Sequence, residues 1–237
     1  MDRLGPIAAD QWGLVTRQQA SQASVPRATF DRLVGPHGLL ERVAHGVYRL
    51  TASPTPDHLE LRAAWLQLAP DVPAWERTPD EGAISHRSAA ALYGIGDLPA
   101  DRHDFTLSTR RQSRRTDVRL HRRQLGERDW IWLRGLIVTR PARIDDDLLR
   151  DNEDPGAVAQ ITADAIRAAY DYPGTFAKAL ASHAARFGLR RGDGLALLRW
   201  LLDLVGDPQT SRWMSEAREA LRGQSELTSE PAGAGRQ

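Results

Sequence analysis

Apolar positions in the first fifty residues keep helical spacings and then switch to alternation. Ile7, Ala8, Trp12 and Leu14 predict a helix over Pro6–Leu14, ended near Gly13. Thr16 with Gln19 three residues on is a T-x-x-Q capping box, which opens a second helix running to about Ala23. Pro26 suits a first helical turn, where its missing N–H would be orphaned in any case. From Arg27 to Val34, the residues Phe30, Leu33 and Val34 form one buried stripe that Gly35-Pro36 stops. Leu39–Leu50 alternates about a turn at Ala44-His45-Gly46, with Val43, Tyr48 and Leu50 expected inside and Arg42 and Arg49 outside. Three helices and a hairpin predict a winged helix-turn-helix over residues 1–50.

Residues 51–56 (TASPTP) read as a linker. Beyond it, Leu59, Leu61, Trp65, Leu66 and Leu68 mark a helix ending at Pro70, and Asp71–Gly82 reads as loop. Ser85 is placed to cap a helix carrying Ala89, Leu92 and Tyr93, closed by Gly94. Strand signals follow at His103–Ser108, Val118–Arg123, Trp130–Leu133 and Leu136–Thr139, with a tight turn at Arg134-Gly135. From Pro141 the period is helical again. Stripes built on Val158/Ile161/Ile166, Phe176/Leu180, Leu197/Leu201/Val205 and Trp213/Ala217/Leu221 predict a bundle, and 224–237 reads as a disordered tail. The fold class is therefore α+β: the winged helix, then a larger domain over 57–223 with a small antiparallel sheet and a helical C-terminal bundle.

Charge changes this picture locally rather than overall. The net charge is only +1, but residues 1–50 and 101–150 carry +2 and +5, against −4 and −2 for 51–100 and 151–237. Of the 32 basic residues all but Lys178 are arginines, which suit bidentate phosphate and guanine contacts. In the third helix Arg27, Ala28, Thr29 and Arg32 are the candidates for base contact, since Phe30, Leu33 and Val34 point inward. Arg17, Arg42, His45 and Arg49 would touch the backbone from the second helix and the wing. A second block, Arg110–Arg123, holds Arg110, Arg111, Arg114, Arg115, Arg119, Arg122 and Arg123 against the single acid Asp117. Alternation would place Arg119, His121 and Arg123 on one basic face to track phosphates. An acidic protein partner or a solvated loop would account for the same block.

Chemistry other than binding finds little support. With 0 cysteines there are no disulfides, zinc ribbons or thiol nucleophiles. Lys178 follows Ala177, so there is no Walker A motif, and neither HExxH nor GxSxG occurs. His86 and Arg87 read as structural, and Asp145, Asp146 and Asp147 as acids favoured near a helix N-terminus. No catalytic residue, metal or cofactor is expected. No signal segment or membrane span is visible, so the expected compartment is the cytoplasm.

Four stretches together resemble the AbiEi-type antitoxins of type IV toxin–antitoxin and abortive-infection systems. They are LERVAHGVYRL, ISHRSAAALYGIGDLP (Ile84–Pro99), VRLHRR and RGLIVTRPAR (Arg134–Arg143). The resemblance implies an autorepressor that binds inverted repeats in its own promoter as a possible dimer. It also implies a C-terminal domain that counteracts a co-encoded nucleotidyltransferase toxin. The chain departs from that pattern at Pro26, where many relatives have a polar residue, and its helical C-terminal third matches only loosely. Other readings stay open: a regulator without a toxin, a metal-dependent nuclease using Asp145–Asp147, and a protein-interaction adaptor.

Overall fold

The structure, a computed structural model, describes residues 3–35 and 38–229. The chain is α+β and divides into two compact units, residues 1–92 with 100–139 and residues 93–99 with 140–237.

The first unit opens with α1 (Gly5–Ala9), shorter than its apolar spacing predicts. Trp12 and Gly13 adopt positive φ (56° and 79°) and reverse the chain. A Cβ on Gly13 would lie 2.5 Å from the Cβ of Ser53, so only glycine fits. Leu14 therefore belongs not to the helix but to a strand, β1 (Leu14–Thr16). The capping box forms as expected: Thr16 accepts from the Gln19 N–H and Gln19 reaches back to the Thr16 N–H, which starts α2 (Arg17–Gln22). Pro26 is the residue before α3 (Arg27–Leu33). Of the expected stop at Gly35-Pro36, Pro36 lies outside the described residues.

The wing is β2 (Leu40–Ala44) and β3 (Val47–Leu50), and β3 also pairs with β1, giving a three-stranded antiparallel sheet. A bulge between Arg42 and Ala44 changes which side chains face inward. Leu40 pairs with Leu50 and Arg42 with Tyr48, so the inner row is Leu40, Tyr48 and Leu50, and Val43 is the extra residue. Arg42 and Arg49 thereby fall on opposite faces rather than on one. Phe30 meets Tyr48 edge-on, with ring centroids 4.9 Å apart, at the centre of a core shared with Leu4, Ala8, Val15 and Ala20.

This winged helix is joined to α4 (Leu59–Leu68) and the chain after it by buried polar groups. Gln11 and Gln19 exchange hydrogen bonds of 2.9 and 3.0 Å, Gln11 also accepts from the Ala74 N–H, and Gln19 donates to the Val72 carbonyl. Arg77 is 3% exposed and donates to the carbonyls of Trp65, Leu66 (2.8 Å) and Ala69 (2.5 Å), which the end of α4 leaves without helical partners. Burial pulls its guanidinium down to about 10, still protonated at neutral pH.

Between α4 and the next helix, two 3-10 turns occupy the expected loop, followed by β4 (Ala83–Ile84) and α5 (His86–Tyr93). The strands β5 (His103–Leu107), β6 (Val118–Arg122), β7 (Trp130–Leu133) and β8 (Leu136–Thr139) fall where alternation placed them. They form, with β4, a five-stranded sheet of order β6-β5-β4-β8-β7. It is mixed rather than antiparallel: β5 pairs with β6, and β4 with β8, in parallel. The segment between β5 and β6 is long enough to carry the chain back to the start of the strand, which a tight hairpin would forbid.

The second unit is a helical bundle of α6 (Pro141–Arg150), α7 (Pro155–Arg167), α8 (Pro173–Leu180), α9 (Gly194–Leu204) and α10 (Thr210–Ser229). Three of these helices begin with proline, and Asp154 and Asp193 cap α7 and α9. Val158, Ile161, Phe176, Leu197 and Leu201 are fully buried, as their spacing predicts, and Ile144 of α6 is buried as well. Gly194 lets α9 meet α8, since a Cβ there would lie 1.7 Å from the Ala177 carbonyl oxygen. Helix α10 continues past Gly223 into the stretch expected to be a tail, and residues 230–237 lie outside the described residues. Among the described residues, no helix is long and apolar enough to cross a membrane.

Candidate nucleic-acid interface

The second and third helices and the wing surround a cleft of about 490 Å³ lined by Arg17, Arg27, Arg42, His45, Phe30 and Tyr48, among others. The local sequence sets each position. The capping box starts α2 so that Arg17 lies in its first turn, and burial of Phe30 turns the opposite side of α3 outward. Arg27 is 86% exposed, and Ala28 and Arg32 are exposed beside it. Thr29 is half-buried on the side of α3 away from the wing, where it accepts a long (3.4 Å) bond from Arg32.

The one acid in this constellation is Asp31. It pairs with Arg17 and lies 3.7 Å from Arg27, and this contact, with help from the Tyr48 hydroxyl, raises the Arg17 pKa above its ordinary value. Arg17 also sits over the Phe30 ring at 5.0 Å. On the wing, Arg42 donates to His45 Nδ1 at 3.1 Å; an arginine cannot accept, so His45 is the acceptor there. The wing turn is held from two sides, by the Arg17 N–H on the Gly46 carbonyl (2.9 Å) and by Gln67 on the His45 carbonyl (2.7 Å). Arg49 is spent otherwise, on Glu41 (2.6 Å) and the Ser53 carbonyl (2.5 Å). Fixed donors around an open cleft, beside an exposed helix rich in guanidinium groups, match what duplex DNA presents: phosphates and major-groove edges.

Residues 2–51 match the family model described as transcriptional regulator, AbiEi antitoxin. The matched stretch coincides with the winged helix just described, and over these residues the chain is similar to that family of transcriptional regulators. The resemblance read from the sequence is thus supported over these residues. No curated protein matches the chain.

Outside the AbiEi-type match, the second basic block is less uniform than its composition. Arg111 donates to the Leu68 carbonyl (2.6 Å), and Arg115 is bound to both Gln67 and Asp117. Arg115 holds the Asp117 carboxyl down to about 2. His121 does not share an open basic face: its side chain is 10% exposed, bonded to Asp104 at 2.8 Å and stacked on His86 at 3.5 Å. Arg119 is exposed on the same side of the sheet as His121, and Arg123, half-buried, follows the end of β6. Arg110, Arg114 and Arg122 are exposed and make no hydrogen bond or ion pair among the described residues.

The polar cluster around His121 escaped the sequence. Ser85 accepts from Thr106 (2.9 Å) and meets His86 Nδ1 (2.9 Å), while Ser88 bridges the Asp104 N–H to the Arg102 carbonyl. The only signal was ISHRS at a strand-to-helix junction; its partners in β5 and β6 come from the pairing register.

In the second unit the three consecutive aspartates do not converge, because successive helical positions are 100° apart. Asp145 is fully buried against Thr162 (2.6 Å), and burial pushes its pKa well above the usual carboxylate range. The Thr162 hydroxyl donates to Asp145 Oδ2 and also lies 2.9 Å from the Val158 carbonyl. Burial opposes ionisation of Asp146 too, but His183 and Arg150 outweigh it and hold this carboxyl below its ordinary value. Asp147 binds Arg143 at 2.9 Å. Each carboxyl is engaged on a different side of α6.

Proposed function

We propose that the chain is an antitoxin that represses its own promoter. Two copies bind inverted repeats, and the chain counteracts a co-encoded nucleotidyltransferase toxin. The observation that carries the DNA part is the cleft between α2, α3 and the wing, in which Arg17, Arg27 and Arg42 face solvent with Asp31 as their counter-charge. Arg27, Ala28, Thr29 and Arg32 meet base edges in the major groove, and Arg17, Arg42 and His45 hold phosphates. No step of bond making is assigned to the chain, and the setting of promoter DNA is the cytoplasm.

The test is binding to the DNA immediately upstream of the gene, with scrambled competitor, across a salt series. Contact with about six phosphates gives a slope of log affinity on log salt near −5. Weak binding indifferent to sequence would retire the repressor. The matched family covers the winged helix alone, which favours as a second reading a regulator with no toxin. Rescue of growth on co-expression with the product of the neighbouring gene separates the two.

A further inference from the structure

β6 is a terminal strand of the five-stranded sheet. In its parallel pairing with β5, the His103 N–H bonds to the Asp117 carbonyl and the Arg123 N–H to the Leu107 carbonyl. The alternation of a parallel ladder then gives the amides of Arg119 and His121 to β5 and turns those of Val118, Leu120 and Arg122 to the open side. Among the described residues, these outward groups have no partner. Beside this edge runs a groove of about 300 Å³, lined by Ala64, Leu68, Val118 and Leu120, with Arg111 and Arg115 among its walls. Arg110, Arg114 and Arg122 stand exposed in the same segment.

We infer that the β6 edge is a docking site for an extended acidic peptide segment of a protein partner, which adds a sixth strand to the sheet. Unpaired main-chain groups supply the ladder, the groove takes alternate apolar side chains, and the arginines pair with carboxylates. A second copy of this chain is a poor occupant, because two such edges would set arginine against arginine. Duplex DNA has no strand to offer the outward amides and no side chains for the groove. The inference does not depend on the DNA reading of the winged helix.

The probe is a fluorescein-labelled heptapeptide of alternating glutamate and valine, titrated by anisotropy with the full-length chain. Binding is expected, weakening with salt. N-methylation of two adjacent residues near its middle blocks both peptide edges, so whichever edge faces β6 loses one ladder hydrogen bond, and binding is expected to weaken roughly three- to tenfold. Arg122→Pro removes one outward N–H together with the charge, and Arg122→Ala removes the charge alone. The proline variant is expected to lose roughly three- to tenfold more affinity than the alanine variant. Should Arg122→Pro fail to fold by circular dichroism, the methylated peptide against the unaltered chain decides. Equal binding of methylated and plain peptides, no binding of either, or complete displacement by scrambled duplex DNA would each overturn the inference. The last would assign the block to nucleic acid. Loss of promoter binding in winged-helix variants leaves the peptide result untouched, so the two readings fail separately.

Discussion

The winged helix and the β6 segment are both rich in arginine, yet they use the residue differently. In the winged helix, one acid, Asp31, balances Arg17 and Arg27 at the mouth of an open cleft, while Arg49 is withdrawn into a pair with Glu41 and Arg3 onto the Ala23 and Ser24 carbonyls. In the β6 segment, Arg111 and Arg115 tie the segment to the end of α4, and Asp117 is bound within the block. Composition scores the second block as the more basic. The structure shows part of its charge holding the chain to itself. Net charge therefore locates candidate surfaces, and the fate of each guanidinium decides what they bind.

The widest contrast lies between these groups and Arg77, which is buried over the Trp65 ring and donates to main-chain carbonyls. Arg77→Ala should cost about 3 kcal/mol of folding stability, because buried carbonyls at the end of α4 lose their donors. Urea denaturation measures it, and a change under 1 kcal/mol would show that water replaces the side chain freely. Next, Arg27→Ala with Arg32→Ala should weaken promoter DNA binding about 30- to 100-fold while stability moves by less than about 0.5 kcal/mol. Unchanged affinity would place base contact elsewhere.

The reverse pattern is expected of Arg111→Ala and Arg115→Ala, which should each lose about 1 kcal/mol of stability and leave DNA affinity within about twofold. For Arg115 the loss should depend on pH. The Asp117 carboxyl is depressed when folded, so its contribution is present above the ordinary carboxylate pKa and disappears as pH falls towards 2. For a pair this exposed it amounts to no more than about 1 kcal/mol, and a difference between wild type and Arg115→Ala that ignores pH would contradict it. The smallest effect is a gain. Asp31→Asn frees Arg17 and Arg27 and should tighten binding to scrambled duplex about threefold, with a steeper salt dependence. Weaker binding would instead make Asp31 a base-reading or positioning group.

The sequence made local features legible wherever one residue could announce them. Thr16 with Gln19 marked a helix start, Phe30 with Leu33 and Val34 marked a face, and the alternating runs marked four strands of the second sheet. What it hid were features with no period of their own. β1 and β4 are three and two residues long, too short to show alternation. The bulge at Val43 slipped the wing register by one and exchanged the faces of Val43 and Arg42. The paired amides of Gln11 and Gln19 and the stacked rings of His86 and His121 depend on partners far along the chain. The arginines were hardest, since a guanidinium bound to a backbone carbonyl and one left in water have the same letter.

One side chain belongs to both regions compared above. Gln67 donates to the His45 carbonyl in the wing turn and accepts from Arg115 in the segment leading to β6. A ligand that draws Arg115 away loosens the far end of that amide, and with it one of the two anchors of the wing. Thermodynamic reciprocity then requires DNA on the wing to alter the hold on Arg115 by an equal free energy. If both surfaces bind as proposed, this single glutamine gives them a shared term in their affinities, no larger than the roughly twofold change expected of Arg115→Ala.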